Sequence, residues 1–292
     1  MSSVISTNMA SLVAQRNLST AQSALTTSVE RLSSGLRINR AKDDAAGLGI
    51  SQTLQAQVGS VRQASRNAND AISVVQAAEG GMTEIGSMLQ RMKELSVQGK
   101  NDSLSTDQKG FIKDEISSLA TEITKVTTRT TFNNNTLLAG TTGDKLSFQV
   151  GASTTDTLDI STAGDFSAGA AGATTGLNLI DKIDAITTAL GGTDKVAMAS
   201  AFDVLSEGVD RAINKVSAGR AAFGTMQSRL DHNIANLSTQ SENIDAARSR
   251  IQDTDYASET ANLTKGQIMQ QAATAMLSQA NQMPNVVLSL LK

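Results

Sequence analysis

The chain has 292 residues, a formal net charge of −3, no cysteine, one proline and 2% aromatic residues. The slightly acidic balance excludes the broad basic surface that nucleic-acid binding requires. The lack of cysteine excludes disulfides, thiolate zinc sites and cysteine nucleophiles. With Pro284 as the single proline, long uninterrupted helices are possible almost everywhere, and aliphatic residues must fill their seams.

No apolar run approaches a membrane-spanning length, so no membrane insertion is expected. The first residues lack the basic n-region and continuous apolar h-region of a signal peptide. By these rules alone the protein is expected to be cytoplasmic.

A first helix is predicted over residues 2–34, where Arg16 is the single charged side chain before Glu30. Gly35 is a suitable C-cap, and residues 33–51, which carry three glycines and a charge cluster, predict a connector between two helical layers. The apolar residues of this helix recur with helical spacing and comprise Ile5, Met9, Leu12, Leu18, Leu25, Val29 and Leu32.

A second helix is predicted from Leu54 to Gln98, with the Gly80-Gly81 pair as a weak point. Ser105 and Gln108 have the spacing of a capping box, which predicts a third helix from Thr106 to Val126. The connecting loop is short, so this helix is expected to fold back antiparallel on the second.

The middle of the chain predicts a small β region. Residues 127–136 are β-branched and Asn-rich, which indicates non-helical turns. Residues 145–150 and 157–160 alternate between apolar and polar, and the turn-rich segment between them predicts a β-hairpin. Residues 161–176 are rich in Ala, Gly, Ser and Thr and predict a surface loop.

Three helices are predicted in the remainder. A short one covers residues 180–190, and a long one runs from about residue 194 to Ile251, on the order of 80 Å at about 1.5 Å per residue. From Thr260 to Leu291 the single charged side chain is Lys265. This last helix carries a narrow coiled-coil stripe made of Ile268, Ala272, Met276, Met283, Val287 and Leu290, followed by Leu291.

These patterns predict a mainly α fold: an elongated antiparallel helical rod or coiled coil with a small β-hairpin region and paired N- and C-terminal helices. The other faces of the two end helices carry Gln, Asn and Ser where a solvated helix normally has charges. We therefore expect the end helices to be buried against other copies of the chain.

No catalytic constellation is predicted. His232 is the single histidine, so it has no second imidazole for a metal site. The neighbours of Asp43 and Asp44 are basic, which favours local charge pairing over acid–base chemistry. The segment Gly47-Leu48-Gly49 follows no strand and lacks a third glycine, so it is not a phosphate loop. Neither an enzyme activity, a metal nor a cofactor is expected.

Several stretches resemble bacterial flagellins: residues 1–19, 32–51, 89–99 and 247–272, and the final NVVLSLLK. The resemblance implies a structural subunit that self-assembles into the flagellar filament. It implies passage, unfolded, through the type III export apparatus with an export chaperone, and polymerisation at the distal tip beside the filament cap and hook-associated proteins. The expected location therefore becomes the extracellular filament.

The resemblance also implies a domain layout. Residues 1–44 and 255–292 correspond to the two halves of an inner domain, whose apolar residues, named above, would pack the inner layer. Residues 45–178 and 196–254 correspond to a rod domain, and residues 179–195 to a short mid-chain connection with no large outer domain.

Four residues sit where flagellins that engage the host Toll-like flagellin receptor keep the corresponding ones, namely Gln90, Arg91, Leu95 and Glu115. They could equally contact stacked subunits. Two alternatives to a filament subunit stay open: a hook–filament junction protein of the same family, and a helical coiled-coil scaffold with a fixed partner. The scaffold is disfavoured because the end helices lack the charged e and g positions that set such a partnership.

Overall fold

The computed structural model describes residues 8–139, 145–161, 166–169, 177, 179–191 and 195–289, with the backbone alone for residues 161, 195 and 283–289. Within these ranges the helices are α1 Met9–Ser34, α2 Ala45–Gly99, α3 Thr106–Arg129, α4 Ile180–Leu190, α5 Lys195–Gln252 and α6 Tyr256–Ser289. The strands are β1 Thr131–Phe132, β2 Asn135–Thr136, β3 Lys145–Gln149 and β4 Thr157–Ser161. The mainly α fold with a β-hairpin and paired terminal helices is confirmed.

The chain forms two compact units. Unit 1 comprises Met1–Val58 with Glu242–Lys292, and unit 2 comprises Gly59–Ser241. In unit 1, α1 and α6 pack side by side through small residues. The buried positions of α1 are Ala14, Ala21 and Ser28, and α6 contributes the buried Gly266 and Ala280. Side chains this small let two helix backbones approach closely.

Hydrogen bonds and one ion pair align the two terminal helices. Asn8 caps α1 by accepting from the Ser11 backbone N–H at 3.1 Å, and its Nδ2 donates to the Ala280 carbonyl at 2.8 Å. Further along the pair, Arg31 lies 3.7 Å from the largely buried Glu259. Polar contacts near both ends of the seam thus fix the register that the small residues alone would leave loose.

The two breaks between helices in unit 1 lie against each other. Gly35 ends α1 with a φ of 72°, a left-handed C-cap that favours glycine. The Thr254 backbone N–H donates to the Gly35 carbonyl at 3.0 Å, and the Arg37 N–H donates to the Gln252 carbonyl at 2.7 Å. The end of α5 is therefore held to the end of α1 by backbone hydrogen bonds.

Unit 2 is built on an antiparallel helix bundle. Arg91 of α2 pairs with Glu115 of α3 at 2.9 Å, and Lys93 of α2 pairs with Asp210 of α5. The helix α4 packs on α3 and also borders α5, where Lys182 lies beside Gly208. The core between them is mostly aliphatic with three buried phenyl rings, those of Phe166, Phe202 and Phe223. Its other members include Met82, Ile85, Leu89, Met92, Ile116, Ile123, Leu205 and Val209.

Local predictions in this bundle have mixed outcomes. The capping box is confirmed, because the Ser105 hydroxyl accepts from the Gln108 N–H and the Gln108 side chain accepts from the Ser105 N–H. The hairpin is confirmed as the antiparallel pair β3–β4. The helix α3 runs three residues beyond Val126, and α2 begins nine residues before Leu54.

The expected turn at residues 127–136 contains a second, very short antiparallel pair, β1–β2. Asn133 and Asn134 connect the strands with φ values of 47° and 68°. Asparagine tolerates this left-handed conformation, and two such residues form the turn that matches the twist of a hairpin. The Asn run is thus a specific hairpin turn.

The helix α2 is continuous through Gly80-Gly81, so the predicted weak point does not interrupt it. A Cβ added at Gly81 would lie 2.6 Å from Thr130 Oγ1 and 2.8 Å from Leu138 Cδ1, whereas one at Gly80 would meet nothing within 4 Å. Gly81 is therefore kept small by the close approach of the segment after α3, and Gly80 faces open space.

This contrast yields a matched test on adjacent residues. We expect Gly80→Ala to stabilise the protein by about 0.5–1 kcal/mol, because alanine is the better helix former. Gly81→Ala should instead destabilise it, because the clash with Thr130 and Leu138 outweighs the same propensity gain. Urea unfolding followed by circular dichroism measures both. Stabilisation by both variants would show that the approach to Gly81 is looser than described.

Candidate assembly and recognition surfaces

The paired terminal helices leave large hydrophobic side chains in solvent. Met9 and Leu12 on α1 are 64% and 52% exposed, and Ile268 and Met276 on α6 are 60% and 65% exposed. A groove of about 570 Å³ runs along this face. Its apolar lining includes Met9, Val13, Met269, Ala273 and Met276. Adjacent exposed apolar side chains of this kind mark an interaction surface.

The predicted inner-layer residues fall into three groups. Those that are exposed are Met9, Leu12, Val29, Ile268, Ala272 and Met276, and those half-buried are Leu18, Leu25 and Leu32. Outside the described residues lie Ile5, Leu290 and Leu291, together with the side chains of Met283 and Val287. The large residues of the α6 stripe that are described therefore point away from the α1–α6 seam.

The seam itself was missed by sequence reasoning. Its α1 side consists of Ala14, Ala21 and Ser28, which repeat at intervals of seven. That heptad of small residues was a usable signal, since such residues are what a close helix contact needs. The spacing of the large apolar residues, by contrast, predicts the exposed stripe and not this seam.

The two aspartates of the connector stabilise the backbone by accepting hydrogen bonds. Asp43 accepts from the backbone N–H groups of Arg40 and Asn39 at 3.0 and 3.2 Å, and the Arg40 hydrogen bond is the main reason why the pKa of Asp43 is lowered. Asp44 accepts from the Gly47 N–H at 2.8 Å, which caps α2. Gly47 and Gly49 accordingly lie in the first turns of this helix.

A second surface lies on unit 2, where Arg91 joins two glutamates. Its guanidinium donates to Glu115 at 2.9 Å and to Glu94 at 3.2 Å. The hydrogen bond to Glu115 is the largest cause of the raised pKa of Arg91, so the arginine stays charged. Of the four residues predicted for recognition, Gln90, Arg91 and Glu115 are exposed here. Leu95 is 2% exposed and packs in the core beneath them.

Features that could support catalysis are scarce in the described part of the chain. His232 is exposed on α5 and borders a groove between that helix and the β3–β4 turn, together with Arg229 and Asn233. Among the described residues, no group of three or more His, Asp or Glu side chains is placed to hold a metal. No described helix is long and apolar enough to cross a membrane.

Family models match both ends of the chain. The model described as the bacterial flagellin N-terminal helical region matches residues 5–142, and that of the bacterial flagellin C-terminal helical region matches residues 206–291. These ranges include both members of the terminal helix pair and most of the unit 2 bundle.

Full-length relatives agree with these models. The chain is 41% identical to a flagellin of Halalkalibacterium halodurans over 99% of its own length and 100% of the relative, and 42% identical to a flagellin of Bacillus subtilis over 99% of each. A solved structure described as a flagellar hook-associated protein from Vibrio parahaemolyticus shares the fold, with a TM-score of 0.62 at 15% identity, over 72% of this chain and 100% of that one. The chain therefore belongs to the bacterial flagellin family and is a structural subunit of the flagellar filament.

Proposed function

We propose that the subunit polymerises through the exposed apolar face of the α1–α6 pair, which becomes buried against the same face region of other copies in the inner layer of the filament. The observation that carries this proposal is the exposure of Met9, Leu12, Ile268 and Met276 together on one helix pair. Burying a side chain of this size contributes about 1.5–3 kcal/mol, so a few such residues per subunit are enough to drive association.

The polar residues of the same helices support this role. Gln15, Asn17, Gln22, Gln267 and Gln271 are exposed and uncharged. Charged side chains in these places would repel their own copies in a polymer of identical subunits. An uncharged polar surface can be buried with hydrogen bonds, or can line a channel without binding its contents.

The domain layout follows as a proposal. Residues 1–44 and 255–292 form the inner domain, and residues 45–178 and 196–254 form the rod domain. Residues 179–195 are a short mid-chain connection in place of a large outer domain. Support comes from unit 1, which contains α1 and α6 paired with each other.

Export and localisation belong to the same proposal. An exposed apolar face on α6 would aggregate in the cell before assembly, so an export chaperone that covers it is needed. The subunit then leaves through the flagellar type III apparatus. It is added to the extracellular filament between the hook-associated proteins and the filament cap. No cofactor, metal or enzymatic step is assigned to it.

A host flagellin receptor would read the surface around Arg91. Its guanidinium is held between Glu94 and Glu115, so a receptor meets a preorganised charged face flanked by the exposed Gln90. Leu95 would act from beneath by packing that face of α2 onto the core. Burial of the same face between subunits would restrict recognition to the monomer.

Substitution at Met276 tests the assembly proposal. We expect Met276→Glu to raise the monomer concentration needed for polymerisation by about 10- to 100-fold, because each 1.4 kcal/mol of lost burial is a factor of ten. Met276→Leu keeps the apolar area and should polymerise like the unchanged protein. The readout is seeded growth in a precipitating salt, followed by pelleting and electron microscopy.

The controls of this experiment also decide between family roles. Equal polymerisation of the Glu and Leu variants would reject the α6 face as an assembly surface. Long filaments from the unchanged protein are expected of a filament subunit, whereas short caps that stop growing on the seeds would assign it to the hook–filament junction.

A second substitution tests recognition. Arg91→Ala should lower receptor activation by purified monomer at least tenfold, because it removes the charge that both glutamates hold in place. Arg220→Ala is the matched control, since Arg220 is also exposed and paired with a glutamate, Glu79. The measurement is a reporter-cell dose–response curve. If both variants signal like the unchanged monomer, the assignment of Arg91 is wrong.

A further inference from the structure

Among the methionines whose side chains the structure describes, those that are exposed all lie in one groove. Met9 on α1 and Met269 and Met276 on α6 are 64%, 52% and 65% exposed, and each lines the groove of about 570 Å³ between these helices. Met269 and Met276 are seven residues apart, so they lie on one stripe of α6, about two turns from each other. We call these three side chains the methionine cluster.

The other described methionines are shielded from solvent. Met82, Met92 and Met198 are at most 2% exposed, and Met88 and Met226 are half-buried. An oxidant in solution reaches an exposed sulfur more readily than a buried one. The chain has no cysteine, whose thiolate would otherwise compete for the oxidant. Oxidation of the folded subunit is therefore directed to the methionine cluster.

We propose that the methionine cluster is an oxidation-sensitive modification site that decides whether a free subunit can join the filament. A peroxide converts the exposed thioethers to sulfoxides, and a subunit modified in this way is rejected by the growing polymer. The inference rests on the proposed function, because it needs this face of α1 and α6 to be buried on assembly. It goes further by assigning a reversible modification, and the class of reagent that causes it, to Met9, Met269 and Met276.

The modification is a two-electron oxygen transfer. A lone pair of the methionine sulfur attacks one oxygen of the peroxide, so a sulfur–oxygen bond forms as the oxygen–oxygen bond breaks. With hydrogen peroxide, the second oxygen leaves as hydroxide and takes the proton of the transferred oxygen, which gives water. Sulfur is oxidised by two electrons and the peroxide is reduced by two. Methionine sulfoxide reductases reverse the change, with one enzyme for each sulfoxide epimer.

The sulfoxide is unsuited to the buried state of this face. Its oxygen is a hydrogen-bond acceptor on a side chain that was apolar, and a buried acceptor without a donor is unfavourable. Of the described residues that line the groove, Asn17 and Gln279 alone have side-chain N–H donors. In the free subunit the same oxygens face water and are satisfied. The modification therefore opposes association and leaves the fold of the monomer intact.

Oxidation before seeding is the first test. Monomer is treated with hydrogen peroxide, the peroxide is removed, and seeded polymerisation is measured. We expect the monomer concentration needed for growth to rise about tenfold or more, because buried sulfoxides weaken association, with the circular dichroism spectrum unchanged. Treatment with both classes of methionine sulfoxide reductase should then restore growth. Unchanged polymerisation, a loss of helical signal, or a defect that the reductases do not reverse overturns the proposal.

Leucine variants assign the effect to individual side chains. The triple variant Met9→Leu, Met269→Leu and Met276→Leu keeps apolar side chains without sulfur, and each variant is compared with its own untreated sample. We expect peroxide to change the polymerisation of this variant by less than about twofold. The double variant Met88→Leu with Met226→Leu removes two half-buried methionines of unit 2 and should stay as sensitive as the unchanged protein. A triple variant that is equally sensitive to peroxide overturns the assignment to the cluster.

Peptide mapping by mass spectrometry follows the same sites without any substitution. In the monomer, we expect the cluster to be oxidised about tenfold faster than the core residues Met82 and Met92, since exposure governs access. In assembled filaments the rates at the cluster should fall to those of the core residues. Equal rates at the cluster and in the core of the monomer overturn the proposal.

The filament measurement separates the two levels of the argument. If filaments form but the cluster stays as reactive in them as in the monomer, the proposed assembly face is wrong, and the modification site is rejected with it. If the cluster is protected in filaments but the oxidised monomer polymerises normally, the assembly face stands and the sulfoxide effect alone is rejected.

Discussion

Small residues at the α1–α6 seam determine how the two terminal helices of unit 1 pack. Ala14, Ala21 and Ser28 on one side and Gly266 on the other let the helices pack closely, and Leu25 lies against Gly266. An isolated helix pair of this kind is marginal in water. The large hydrophobic residues Met9, Leu12, Ile268 and Met276 lie on the outside of the pair. Under the proposed function, their burial against other copies would couple the stability of the pair to assembly.

The second constraint is the pair of helix breaks in the same unit. Backbone hydrogen bonds link Gly35 to Thr254 and Arg37 to Gln252, so the chain leaves α1 and enters α6 at one place. Around them, Asp43 and Asp44 bond backbone N–H groups of the connector and of the first turn of α2. The aspartates of this stretch are used to hold the backbone of the connector and of the first turn of α2. They are therefore not placed for acid–base chemistry.

Unit 2 differs from unit 1 in having a core of large, fully buried side chains. Its core buries Met82, Ile85 and Leu89 completely, and polar pairs such as Lys93–Asp210 lie at the edges between helices. A bundle of this kind can be stable by itself and present rigid faces. The charged cluster at Arg91 is one such face, because the hydrogen bonds to Glu94 and Glu115 hold its guanidinium in place.

Much of the fold was determined by local sequence. The capping box of Ser105 with Gln108, the left-handed cap at Gly35 and the alternation in β3 and β4 each follow from interactions between residues close in the chain, so sequence patterns were sufficient for them. Family membership could also be predicted from the sequence, since long stretches at both ends resemble flagellins.

Tertiary structure decided the remaining features, because they depend on contacts between residues that are distant in the chain. It placed Thr130 and Leu138 against Gly81, buried Leu95 beneath Arg91, and chose Ala14 over Leu12 for the helix seam. Periodicity shows that a helix has an apolar stripe, and only packing shows which partner covers it.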